Sequence, residues 1–123
     1  MEILTWVLTG FLAAAFLGAG AMKLLTPYAS LTENPQMAWS RDFSPGAVKA
    51  IAAAEVLAAI GLVLPWVTGI APVLTPLAAV GLAITMVGAM VVHGRRGEWP
   101  ALAPNAALLV LALAVAVLRF GQL

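Results

Sequence analysis

Cysteine is absent from the sequence and histidine occurs once, at position 93. The absence of thiols excludes disulfide exchange, iron–sulfur ligation, thiolate zinc sites and covalent haem attachment for the chain acting alone. One histidine does not supply the ligands for a zinc ion or a bis-histidine haem within a single subunit. The sequence therefore predicts no metal site, and it contains no set of residues with the pattern of a catalytic centre.

Charged residues are also scarce. They make up 9% of the chain, with six Lys and Arg against five Asp and Glu, whereas a soluble domain typically carries about 25%. The net charge of +1 is too small and too dispersed to indicate a nucleic-acid partner. Hydrophobic residues account for 63% of the chain, so the composition predicts an integral membrane protein in contact with the lipid bilayer.

Four hydrophobic runs are long enough to cross a bilayer: residues 3–25, 47–66, 72–92 and 102–120. In lipid every backbone polar group needs an internal partner, so each run should be an α-helix. Ser44 followed by Pro45 has the pattern of an N-cap and a first helical position. We predict one all-α domain over residues 1–123, an up-down four-helix membrane bundle with a single long loop, 26–46.

The basic residues predict the orientation of this bundle. Arg41, Lys49, Arg95 and Arg96 belong to the first and third loops or their flanks, whereas the side with the two termini has Arg119. The positive-inside rule then places these two loops in the cytoplasm and both termini outside.

The tryptophans divide between the two predicted interfaces, as in the aromatic belts of membrane proteins. Two are expected on the side of the termini and two on the side of the long loop, namely Trp6 and Trp66, and Trp39 and Trp99.

Glu55 interrupts the second hydrophobic run. Insertion scales put a carboxylate near a helix centre at roughly 2.5–3.5 kcal/mol, so such a residue usually faces the bundle interior and has a partner. Up-down topology brings Lys23, His93 and Asn105 into the same half of the bilayer as Glu55. Lys23 is the natural counter-ion because its long side chain leans back toward the membrane interior. We call these four residues the polar cluster and predict that they form a ligand site or an intramembrane polar contact.

Each member of the polar cluster also has a purely structural explanation. Lys23 and Glu55 are equally well explained as an internal strut between two helices. His93 stands next to a Gly-Arg-Arg sequence at an interface, which favours a histidine that faces solvent or lipid headgroups. Asn105 lies in the first turn of the fourth helix, where capping or a hydrogen bond to a neighbouring helix is expected.

Three stretches carry a family resemblance: 16–24 (FLGAGAMKL), 54–65 (AEVLAAIGLVLP) and 88–93 (GAMVVH). Together they resemble the DoxX-like family of small four-helix membrane proteins. The resemblance runs through the first three predicted helices and leaves the fourth matched by hydrophobicity alone. It implies a multi-pass protein of the bacterial cytoplasmic membrane, whose termini would then be periplasmic.

The functions implied by this resemblance are heterogeneous. The family takes its name from a subunit of a thiosulfate:quinone oxidoreductase, other members are linked to redox-defence complexes, and distant eukaryotic relatives act as assembly chaperones or cargo receptors. The resemblance therefore indicates the fold more strongly than the activity.

Two functional hypotheses follow, and a third ranks last. The first is a non-catalytic, redox-associated membrane subunit whose polar cluster seats a quinone or a similar lipid-soluble molecule. The alternative is an interaction protein that assembles or stabilises another membrane protein, with a purely structural Lys23–Glu55 pair. A proton or solute pathway ranks last because the outer half offers few polar residues. Stripes of small residues additionally predict a homo-oligomer.

Overall fold

The computed structural model of the protein describes residues 2–123, apart from the side chain of residue 36. Within this range the chain forms α-helices and short 3₁₀ segments, and no β-strand. The α-helices are α1 (Glu2–Leu25), α2 (Tyr28–Glu33), α3 (Pro45–Thr68), α4 (Leu74–Arg95) and α5 (Leu102–Gly121), and the 3₁₀ segments are Pro35–Asp42 and Trp99–Ala101. The predicted all-α fold class is confirmed.

Four helical segments in the described range are long and apolar enough to cross a membrane. They are α1, α3 and α4, with 24, 24 and 22 residues, and the segment Trp99–Gly121, with 23. At ~1.5 Å per residue each measures about 33–36 Å, which spans a hydrocarbon core of about 30 Å. The predicted four-helix membrane bundle in a lipid bilayer is confirmed.

The helix ends are stabilised by specific contacts. The Ser44 hydroxyl accepts a hydrogen bond from the backbone N–H of Ala47 at 3.1 Å, so it is the N-cap that the sequence predicts for α3. At the other end of α3, Gly69 has a φ of 72°, the left-handed conformation that glycine adopts without strain. The ammonium of Lys49 donates to the backbone carbonyls of Lys23, at 2.6 Å, and of Thr26. Lys49 therefore caps the carboxyl end of α1.

Two helix pairs build the bundle: α1 packs closely against α3, and α4 against α5. At the α1–α3 contact a Cβ atom on Gly20 would lie only 2.9 Å from the carbonyl oxygen of Ala52. Glycine thus permits the close backbone approach by which membrane helices associate. The α1–α5 contact is less extensive than either pair. The central core is apolar, with Leu12, Phe16, Leu62, Leu82 and Val115 among its buried members.

The connection between α1 and α3 is folded over one end of the bundle, which we call the loop end. Leu31, Met37 and Val48 form a small buried cluster between this connection and α3. The Tyr28 hydroxyl donates a hydrogen bond of 2.6 Å to the carbonyl of Phe43 and so joins the two ends of the connection. The segment is therefore an ordered cap with its own apolar core.

Candidate functional site

Lys23 and Glu55 form a buried ion pair between α1 and α3. The Lys23 ammonium donates directly to Oε1 of Glu55, and the two side chains are 11% and 4% exposed. Such a pair is retained in an apolar interior because each charge compensates the other, whereas either charge alone is costly there. The indole of Trp39 adds a weaker contact, with its ring centre 5.6 Å from the ammonium.

A cavity of about 480 Å³ lies beside this ion pair, and all four residues of the polar cluster line it. Its remaining wall is largely apolar, with contributions from α1, α4, α5 and the cap at the loop end. Large side chains at the wall include Phe16, Met22, Met37, Trp39, Phe43 and Met86. The volume is within the range of about 300–1,000 Å³ that is usual for small-molecule sites.

Small residues explain why this space is open. Ala15 and Ala19 on α1, and Gly88 and Ala89 on α4, form parts of the wall that larger side chains would fill. A Cβ atom built on Gly88 would meet no atom within 4 Å. Glycines therefore serve two purposes in the bundle: Gly20 brings helices together, and Gly88 leaves room in the cavity.

His93 lies at the cavity wall. The expectation that its side chain faces solvent or lipid headgroups is therefore wrong. Its side chain is only 14% exposed, and Nδ1 is 2.9 Å from Oε1 of Glu98. The reason is a turn after α4, in which the backbone N–H of Glu98 returns to the carbonyl of His93 at 2.8 Å. The ring also makes an edge contact with Trp39, with 6.5 Å between the centroids.

One hydrogen bond and two ion pairs connect His93 to the surface of the loop end. The Arg96 guanidinium lies 3.4 Å from Glu98 and 2.7 Å from Asp42. The hydrogen bond from His93 lowers the pKa of the Glu98 carboxyl, and the hydrogen bond to Asp42 raises the pKa of Arg96. Glu98 is therefore an anion at neutral pH, and it links the cavity wall to the polar surface.

Asn105, on α5, also lines the cavity. Its Nδ2 is buried and has no hydrogen-bond partner within residues 2–123. The amide does not serve as a helix cap, because α5 begins at Leu102 after Ala101 with no side-chain cap bond. A buried donor without a partner is uncommon in proteins, since its desolvation is not compensated. A rotation of the side chain would bring this N–H group to an acceptor oxygen of a molecule bound in the cavity.

Sequence reasoning did not identify the aromatic and methionine side chains that the cap brings over the cavity. Met37, Trp39 and Phe43 belong to the connection between helices and reach the site only through its tertiary fold. Their apolar character within a segment rich in polar residues was the available signal. Met22 and Met86 line the cavity as well.

A second buried cation, Arg119, lies at the opposite end of the bundle, which we call the terminal end. Its side chain is fully buried, and the guanidinium carbon is 4.6 Å from the ring centre of Trp6 and 4.3 Å from that of Trp66. Nη1 donates to Glu2 at 3.0 Å and to Gln122 at 2.7 Å. Sequence reasoning counted Arg119 only as a topology signal, although the two tryptophans expected at the same end were a usable clue.

These features define the class of the protein. It is a small multi-pass membrane protein of four helices, with a cavity at the loop end whose wall carries a few polar groups. A comparison with protein-family models matches residues 7–115 to the DoxX-like family. The chain belongs to the DoxX-like family. The match covers all four membrane-crossing helices, including much of α5, for which sequence reasoning found only hydrophobicity. No curated protein and no solved structure gives a significant match.

Proposed function

We propose that the protein is a non-catalytic, redox-associated membrane subunit that binds a lipid-soluble carbonyl compound, such as a quinone, in the cavity at the loop end. The observation that carries the proposal is the combination of an apolar cavity of about 480 Å³ with polar groups confined to a few positions of its wall. Ligand sites typically have this composition, because apolar walls supply affinity and a few polar groups fix orientation.

The unpartnered Nδ2 of Asn105 supports a ligand with an acceptor oxygen. The Lys23 ammonium has three donor positions, one of which is used by Glu55. A flat ring with carbonyl groups and no charge satisfies such donors without adding a charge to the membrane interior. A charged ligand would instead disturb the balance of the Lys23–Glu55 pair.

In the proposed orientation the protein lies in the bacterial cytoplasmic membrane with both termini in the periplasm. Arg41, Arg95 and Arg96 at the loop end support this arrangement under the positive-inside rule. The cavity then lies near the cytoplasmic leaflet.

The experiment is to purify the protein in mild detergent, extract bound lipid-soluble molecules and identify them by mass spectrometry. Binding of added decylubiquinone is measured in parallel by quenching of tryptophan fluorescence, with Trp39→Phe identifying the part of the signal that comes from the cavity. Gly88→Leu fills the cavity, and Gly81→Leu is its matched control. Both glycines lie on α4 with open space at the Cβ position, but only Gly88 lines the cavity.

We expect Gly88→Leu to lose bound ligand while Gly81→Leu retains it, with both variants folded. The proposal fails if wild-type protein retains no lipid-soluble molecule and binds no quinone, or if Gly88→Leu binds as well as wild type.

A second candidate is an interaction protein that assembles another membrane protein. It is favoured by the mutual compensation of Lys23 and Glu55 at the tight α1–α3 contact near Gly20, which is sufficient to explain the pair as a strut. The homo-oligomer predicted from small-residue faces is compatible with either function. Ala14 and Gly18 form one such exposed face on α1, and crosslinking there in native membranes should yield dimers. A monomer alone would contradict it.

A further inference from the structure

A second concavity lies on the outside of the bundle, along the seam between α1 and α5. It has a volume of about 480 Å³, and every residue that lines it is apolar. Val7, Leu8 and Phe11 form the α1 side, and Leu108, Val110 and Leu111 belong to the α5 side. Phe11 and Val110 are each 66% exposed, so this surface faces the lipid in a membrane. We call it the seam groove.

The seam groove adjoins the cavity described above. Leu108 lines both, so the space beside the polar cluster and the outer groove meet at this side chain. The seam is also a place where the bundle is less tightly packed, because the α1–α5 contact is less extensive than α1–α3 or α4–α5. A molecule that is held in the cavity and extends past Leu108 therefore meets the apolar surface of the groove.

The two spaces differ in chemistry in the way the two parts of an amphiphile differ. The cavity has the amide of Asn105 and the Lys23–Glu55 pair at its wall, whereas the seam groove presents only hydrocarbon and one aromatic ring. Their arrangement is linear along α5: Asn105 lines the cavity, and Ala114 lines the far part of the groove. Nine residues of helix correspond to ~14 Å, so the groove extends well away from the polar groups of the cavity.

We propose that the seam groove is a subsite for the alkyl or prenyl tail of the ligand whose polar head lies in the cavity. This inference rests on the proposed function and narrows the ligand class to carbonyl compounds with a long apolar tail. The cavity is large enough for a ring system, and a tail longer than the cavity must leave it along some path. The seam groove adjoins the cavity at Leu108 and offers such a tail an apolar surface.

Lipid tails are as apolar as the groove, so the tail gains little from the hydrophobic effect there. Its contribution comes from packing against fixed side chains, and it is expected to be modest. The test therefore compares the ratio of the affinities of two probes between proteins, so that partitioning of each probe into detergent cancels. The short probe is a benzoquinone with one prenyl unit, and the long probe is decylubiquinone, which has a ten-carbon chain.

The critical variant is Val110→Phe, and the matched control is Val117→Phe. Both valines lie on α5 two turns apart and are 66% and 70% exposed, but only Val110 lines the seam groove. Phe11→Ala is a second variant on the opposite wall, and it removes packing surface instead of filling the space. Both positions face lipid, so both variants retain the interior contacts of the bundle.

We expect Val110→Phe and Phe11→Ala to weaken binding of the long probe by about five-fold, equivalent to about 1 kcal/mol of packing. The short probe should bind equally to all four proteins, and Val117→Phe should match wild type for both. If both probes bind wild type but neither groove variant alters their ratio, the tail subsite is wrong and the cavity proposal stands. If neither probe binds wild type, the proposed function fails and the subsite fails with it.

Discussion

The two ends of the bundle each bury a cation, and they solve the problem in opposite ways. At the loop end Lys23 is neutralised by one buried carboxylate, and small residues on the neighbouring helices leave a cavity beside the pair. At the terminal end Arg119 lies between the faces of Trp6 and Trp66, and its anionic contact, Glu2, is 57% exposed. The size of the surrounding side chains, more than the presence of charge, decides whether a polar site is open or filled.

Arg119 and Lys23 carry the same charge but have different structural roles. The planar guanidinium of Arg119 stacks on aromatic rings, a contact that a lysine ammonium does not reproduce in the same geometry. It joins α1, α3 and α5 at the terminal end through Trp6, Trp66 and its own helix. Lys23 bonds to Glu55 on α3 and lines the cavity, so a molecule bound in the cavity can lie against it.

The largest expected effect concerns the loop end. Lys23→Met leaves the Glu55 carboxylate buried without a counter-ion and should lower the free energy of unfolding by about 3–5 kcal/mol. Thermal unfolding in detergent measures the change, and Lys23→Arg is the control that retains the charge. A loss below about 1 kcal/mol would show that the pair does not hold α1 against α3.

At the terminal end, Arg119→Leu should lower the free energy of unfolding by about 2–4 kcal/mol, because it removes two desolvated cation–π contacts. Glu2 is largely exposed and is not left buried, so the loss should be smaller than that of Lys23→Met. Arg119→Leu should also leave the proposed quinone binding at the loop end unchanged. Loss of binding at full stability would contradict the separation of the two ends.

Lys49 stabilises the carboxyl end of α1 at the loop end, beside the Lys23–Glu55 pair. Lys49→Met removes the hydrogen bonds to the carbonyls at the end of α1, including the 2.6 Å bond to Lys23. Since these are charge-assisted bonds at a partly exposed position, the expected loss is about 1–2 kcal/mol. Hydrogen exchange of the amides in α1 detects local fraying, and an unchanged exchange profile would show that the cap is dispensable.

The smallest effect is the pH dependence that arises from Glu98. Its pKa in the folded protein lies below the ordinary value of 4.5, chiefly because His93 donates to the carboxylate. Its contribution to stability is therefore complete above pH 4.5 and is lost as the pH falls through the lower folded value. In a thermal-unfolding series from neutral to acid pH, Glu98→Gln should flatten the acid limb relative to wild type. Identical acid limbs would refute this assignment.

Much of this comparison was predictable from the sequence, and the remainder depends on tertiary contacts. Four apolar runs with helix-start signals predict the bundle, and up-down topology alone brings Lys23 and Glu55 into one half of the bilayer. The position of His93 depends on a turn that returns Glu98 to it, and periodicity does not describe such a turn. Trp39 lies over the cavity because the cap folds onto the bundle, which is a contact distant in sequence.

Arg119 was difficult to predict for a different reason. At the end of a membrane helix, an arginine that extends to the headgroups and an arginine that stacks between two indoles have the same sequence pattern. The pairing of Trp6 with Trp66 depends on the packing of α1 against α3, which places both rings at one end. The sequence indicates which residue types lie at the terminal end, whereas the packing of the arginine between the two indoles is seen only in the structure.

We propose that the Lys23–Glu55 pair belongs to a binding site and is not merely a strut between α1 and α3. The most direct measurement is a double-mutant cycle of Lys23→Met and Glu55→Gln, with unfolding in detergent and decylubiquinone binding measured on all four proteins. Because the double variant removes both charges together, it should be more stable than the sum of the single losses allows. We expect the double variant to recover stability but not the binding of decylubiquinone. A double variant that is stable and binds like wild type, or strictly additive losses of stability, would contradict the assignment of the Lys23–Glu55 pair to a binding site.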